Sequence, residues 1–158
     1  MSNRVFVCSQ EEIQTPSFFD NVEPFLLKVM QKLNYDNEEC SVMLCNDDFI
    51  KNLNNEYRKI DSATDVLSFE NDESYEEDGV LWKNVGDIVL SVETLPKNAK
   101  YFEVPENTEL KRLLIHGLLH LNGFDHGEEH IEKDVCPECE MLKLQEELLV
   151  FFENEKLI

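Results

Sequence analysis

The chain has 158 residues, enough for one domain with a single sizeable core. Its 42% apolar content is ordinary for a globular protein, and no stretch reaches the roughly 18 uncharged apolar residues that span a bilayer. Fourteen basic against 34 acidic residues give a formal net charge of −20, which taken alone argues against broad, non-specific binding to nucleic acid.

The first residues, MSNRVFVCSQEEI, lack a basic segment followed by a long apolar one, so no signal peptide is expected. Five cysteines (Cys8, Cys40, Cys45, Cys136, Cys139) are an odd number without framework spacing, which predicts reduced thiols in the cytoplasm. Arg4 to Cys8 alternates and reads as a first strand. Phe18 to Leu33 carries a helical apolar stripe, and Pro24 fits best if the helix proper starts near it. Cys40 to Cys45 is a second strand. Asp47 can cap a short helix from Asp48 to about Tyr57. Thr64 to Phe69 and Val85 to Val92 read as strands three and four. The acidic NDESYEEDG between them reads as an exposed loop. Leu110 to Leu121 reads as a helix beginning around Asn107 and stopped by Gly123. Glu138 to Phe152 reads as a last amphipathic helix with Met141, Leu144, Leu148, Phe151 and Phe152 buried. The pattern predicts one α/β layered domain over residues 1–158.

All four histidines fall between 116 and 130. In HGLLHLNGFDH, His116 and His120 are four apart and stack on one helix face. Gly123 can then turn the chain so that His126 arrives as a third ligand. Three nitrogens leave the fourth position of a tetrahedral zinc open, as a catalytic site requires. Leucines surround this helix nearly all round, which makes it a buried central helix whose histidines need a partner. A closed structural zinc using Asp125 or His130 is the alternative. The same spacing occurs in the zinc-protease pattern H-E-x-x-H-x-x-G-x-x-H, but Gly117 stands where that pattern has its general base.

HGLLHLNGFDH also resembles the signature of the YbeY family of bacterial single-strand endoribonucleases. LNNEYRKIDSATDVLSF, from Leu53 to Phe69, and GDIVLS, from Gly86, agree with it. Ala63 and Glu70 depart from common prolines of the family, and the acidic loop Asp72 to Asp78 looks expanded. The resemblance implies a mixed four-stranded sheet with packed helices. It implies His116, His120 and His126 as metal ligands and Arg58 as the functional arginine. It further implies RNA hydrolysis in maturing the 3′ end of small-subunit (16S) ribosomal RNA and in ribosome quality control, with ribosomal RNA precursor and the small ribosomal subunit as partners and no membrane.

On that reading zinc serves phosphodiester cleavage without a glutamate base, and the Arg58 guanidinium takes a phosphate. From the residues alone, a salt bridge of Arg58 with Asp61 or Asp65 is the plainer expectation. Lys97, Lys100, Lys111 and Arg112, with Arg58 and Lys59, could form a basic rim in an otherwise acidic surface. Cys136-Pro-Glu-Cys139 is a lone C-x-x-C and reads as an incidental pair of thiols. Two other functions remain open: a zinc peptidase or amidohydrolase with a base such as Glu128 or Asp125, and a non-enzymatic ribosome-associated protein with a structural metal.

Overall fold

The computed structural model describes residues 2–158. The elements in order are β1 (Arg4–Ser9), α1 (Phe19–Lys32), β2 (Glu38–Cys45), α2 (Asp47–Arg58), β3 (Val66–Glu77), β4 (Val80–Ser91), α3 (Thr94–Phe102), α4 (Glu106–Leu121) and α5 (Glu140–Phe151). The sheet order is β1-β2-β4-β3. β1 and β4 run parallel to β2, and β3 is antiparallel to β4, so the sheet is mixed, as expected.

Alternation along the strands separates two faces. Val42, Leu44, Ile88 and Leu90 point into the main core with α1, α4 and α5. Cys45, Leu67 and Val89 point the other way, onto Ile50, Phe49 and Leu53 of α2. Cys40 and Cys45 are buried, and burial pushes both thiols up to about 12, so they behave as apolar filler. No helix among the described residues is long and apolar enough to cross a membrane.

Four details differ from the sequence expectations. The acidic stretch is not a loop. It forms the outer half of a long β3–β4 hairpin, closed by Asp78 and Gly79, both with positive φ. Asp-Gly at the tip suits a two-residue hairpin turn. The acidic residues are tolerated because each paired one faces an uncharged partner: Glu73 opposes Asn84, Glu76 opposes Leu81, and Glu77 opposes Val80. Arg4 stacks 3.8 Å over Trp82 and pairs with Glu77, fastening the hairpin to β1.

Helix α1 begins at Phe19, so Pro24 lies inside it; Pro24 is exposed, which leaves the carbonyl it frees on the solvent side. The cap of α2 is Asn46, which accepts from the Phe49 amide at 2.9 Å. Asp47 instead accepts from Ser91, Thr94 and Lys97, tying α2 to α3. Helix α3 itself went unforeseen; its nine residues bury only Leu95 and Ala99, too few for a readable stripe.

Helix α4 is buried on nearly all sides, as its leucines predict. It ends in a Schellman motif: Phe124 donates to the Leu119 carbonyl and Gly123, with φ +87, to that of His120. Gly117 lies against β4. A Cβ there would meet three side-chain atoms of Ile88 at 2.9 to 3.1 Å. Gly117→Ala is therefore expected to destabilise. Overpacking costs about 1–3 kcal/mol, and helix propensity returns about 1 kcal/mol. In an Ile88→Ala background the clash is gone and the sign should invert. Urea midpoints of the four proteins check this; a stabilised Gly117→Ala single variant would refute the close approach.

Candidate metal centre

Helix α4 presents His116 and His120 on one face, and the turn at Gly123 carries His126 back to them. One ligand nitrogen of each lies within 4.8 Å of the other two. Ring centroids are 4.7 Å apart for His116 and His120, and 5.2 Å for each of them with His126. Among the described residues this is the only cluster able to hold a metal ion. His130 approaches only His126, at 5.3 Å. Asp125 accepts from the Gly127 amide at 3.1 Å and shapes the turn. Neither joins the cluster, which leaves the three-nitrogen arrangement expected of an open site.

The donors fit a metal ion. The Nδ1 of His116 lies 2.7 Å from Oε1 of Gln145, and that of His120 lies 3.0 Å from the Phe124 carbonyl. A carbonyl only accepts, so His120 carries its hydrogen on Nδ1 and offers Nε2 as ligand. Nδ1 of His126 is buried without a hydrogen-bond partner, an orphan that a cation would relieve. Burial, helped by the neighbouring imidazoles, pushes His116 down to about 4, and burial lowers His120 as well. His116 is thus neutral at pH 7, the form that binds metal.

This shift has a stability consequence. Between pH 4 and 6.5 the unfolded chain binds a proton that folded His116 refuses. Stability of the metal-free protein therefore rises with pH across that window and is lost on acidification, by of the order of 1–3 kcal/mol. The expected observation is a pH-dependent urea midpoint in chelator-treated protein that flattens in His116→Gln. An unchanged pH dependence in the variant would exclude His116 as its source.

The histidines open on a cavity of about 530 Å³ between α4, the start of β3, the 125–131 loop and α5. Arg58 lines it, at the last position of α2. Lys59, in the left-handed region with φ 59, ends the helix there. Tyr57 packs edge-on against Phe69 of β3 at 5.2 Å, and Asn54 donates to the Ser62 carbonyl at 2.9 Å. Together they fix the end of α2 over the cavity. Neither expected carboxylate takes Arg58: Asp61 pairs with Lys51, and Asp65 accepts from Asn98 and the Val66 amide.

The basic rim does not form as expected. Lys111 is 1% exposed, and its Nζ donates to the carbonyls of Phe152, Glu153 and Glu155 beyond the end of α5. A buried ammonium needs such acceptors, and the C-terminal end of a helix supplies them. Lys97 pairs with Asp47 away from the cavity. Arg112 does line the cavity, but Glu109 and Glu146 both pair with it. The wall carries five carboxylates (Asp65, Glu70, Glu109, Asp125, Glu129) against two guanidiniums, so it is acidic in the absence of a cation. Glu128 is not part of that wall.

Two residues at the site escaped the sequence reading. Gln145 is buried at the core edge of α5, whose buried stripe is Met141, Leu142, Gln145, Leu148 and Leu149 rather than one through Leu144 and Phe151. A glutamine at a stripe position is the signal that was available. Glu129 accepts from the Glu138 and Cys139 amides at 2.7 and 2.8 Å, fastening the ligand loop to the start of α5. Cys136 and Cys139 are free thiols.

Similarity to known proteins agrees with this geometry. Residues 6–153 match the family described as Endoribonuclease YbeY. The chain is 48% identical to a protein of that name from Treponema denticola, over 99% of this chain and 98% of the relative. It is 43% identical to one from Treponema pallidum, covering 93% and 88%. A solution structure of a Thermotoga maritima protein superposes with a TM-score of 0.58 at 28% identity, covering 92% of this chain and 86% of the other. A match running through both the histidine turn and the arginine segment, with relatives this similar over nearly the full length, leaves one assignment: the chain belongs to the YbeY endoribonuclease family.

Proposed function

We propose that the protein is a zinc-dependent, single-strand-specific endoribonuclease acting on ribosomal RNA precursor at the small ribosomal subunit in the cytoplasm, in 3′-end maturation and ribosome quality control. The observation that carries the chemistry is one cavity holding both a three-histidine cluster and the guanidinium of Arg58, which has no ion-pair partner among the described residues. His116, His120 and His126 would hold the ion; three imidazoles at this spacing favour zinc over magnesium or calcium, which prefer oxygen ligands. The bound ion supplies Lewis acidity toward a phosphoryl oxygen or water.

The chain's own residues do the rest. Arg58 binds and orients the scissile phosphate through its planar fork and stabilises the charge that develops on it. The acidic wall repels RNA backbone everywhere else, which directs a phosphate toward the cation and Arg58. The 125–131 loop and α5 line one side of the cleft. A peptidase would need its base somewhere other than position 117, which packs into the sheet.

Metal analysis of protein purified without added chelator, paired with cleavage of single-stranded RNA, double-stranded RNA and peptides, tests the proposal. The expected result is about one zinc per chain and cleavage of single-stranded RNA alone. A folded, active protein without metal, or one that cuts peptides and not RNA, would overturn it.

A further inference from the structure

The geometry points to Gln145 of α5 as the positioning residue of the metal centre, fixing the ring orientation and tautomer of His116. This rests on the reading of the three histidines as ligands. Gln145 is 1% exposed and lies on a different element from all three histidines. A glutamine amide can turn either end toward its neighbour, and here a chain of polar contacts decides which. Its Nε2 donates to Oε2 of Glu146 at 3.0 Å. That carboxylate only accepts, so the amide nitrogen is committed to it. The amide oxygen must then face Nδ1 of His116, as it does at 2.7 Å. The hydrogen therefore sits on Nδ1, and Nε2 keeps its lone pair for the metal.

Glu146 does not move freely either. Arg112 of α4 grips both of its oxygens, at 3.2 and 3.3 Å, and pairs on its other side with Glu109, which is 1% exposed. The lock thus runs from a buried ion pair on α4, across to α5, and back to a ligand on α4. His120 needs no such device, because the Phe124 carbonyl of its own turn orients it. His116 sits mid-helix, where backbone carbonyls are occupied, and only a side chain from a neighbouring element can reach Nδ1.

Partners of this kind, holding the far nitrogen of a ligating histidine, typically change metal affinity by about 10–100-fold when removed. Gln145→Met keeps the approximate volume and removes the acceptor. Gln145→Glu, made together with Glu146→Gln so that position 146 donates where position 145 did and no two carboxylates face each other, keeps the acceptor. By competition with a chromophoric zinc chelator at pH 7, Gln145→Met is expected to bind zinc about 10–100-fold more weakly than wild type, and the double variant within about threefold of it. The visible bands of the cobalt-substituted protein should shift in Gln145→Met and stay in place in the double variant. Nitrogen-15 NMR of the wild-type histidines should show the hydrogen of His116 on Nδ1, a readout that needs no variant to fold.

Equal zinc affinity and unchanged cobalt bands in Gln145→Met would overturn the inference while leaving the metal site standing. A double variant as weak as Gln145→Met would do the same, as would the opposite tautomer. Wild type that binds no zinc would overturn both the inference and the site it rests on.

Discussion

His120→Ala is expected to leave the protein folded, metal-poor and inactive on RNA. A folded state survives because His120 is only half-buried and alanine is the best helix former. The lost bond to the Phe124 carbonyl costs about 1 kcal/mol. The metal does not survive. Structural zinc sites bind with about 10–16 kcal/mol, so one ligand of a few is worth several kcal/mol, or at least about a thousandfold in affinity. RNA cleavage should fall by a similar factor or more, since the Lewis acid is gone. Metal content by mass spectrometry, thermal unfolding and a single-turnover RNA assay read the three effects separately. Retention of zinc at the wild-type ratio would show that His120 is no ligand. Wild-type cleavage without metal would show that the ion is no participant.

The second large effect is expected at Arg58. Removing a donor that stabilises developing transition-state charge costs about 10²–10³ in kcat, or roughly 3–4 kcal/mol. Arg58→Ala should show that loss with zinc content and thermal stability unchanged, because the side chain is exposed and, among the described residues, enters no ion pair or core cluster. Arg58→Lys should recover only part of it, since an ammonium is a point charge and cannot meet a phosphate with two parallel donors. The pairing with His120→Ala is informative: one variant loses metal and activity together, the other activity alone. Cleavage by Arg58→Ala within threefold of wild type would remove Arg58 from the chemistry. A fall in zinc content would recast it as a support of the metal site.

The histidine cluster was legible because its geometry is local. A four-residue helical spacing and one glycine turn put three rings together with no need of distant contacts. The same holds for most of the sheet, whose apolar strands announce themselves by alternation. The outer hairpin was not legible by that signal, because its β3 half is exposed and acidic; Asp78-Gly79 was the signal that composition masked. Lys111 was misplaced for a different reason. In sequence it is a charged residue beside Arg112. Only the packing of α5 onto α4 shows that its ammonium closes three carbonyls of another segment. Gln145 likewise has no meaning until α5 lies beside His116. The sequence spacing brings the three rings together, while tertiary packing sets which nitrogen of His116 is left free to face a cation.

Gly117 carries a consequence for how such sites diverge. Helix α4 lies so close to β4 that a side chain at that position would press on Ile88. The histidine spacing shared with a class of proteases is therefore housed here on a helix whose second motif position, Gly117, faces the core. A single substitution that installed an acid–base group at 117 would have to displace Ile88 or move the helix that carries His116 and His120. The two chemistries are not neighbours in sequence space, despite sharing four positions of a motif. A motif search that asks for the histidines alone would merge them; one that also asks for a minimal residue after the first histidine, with a strand of β-branched residues to receive it, would hold them apart.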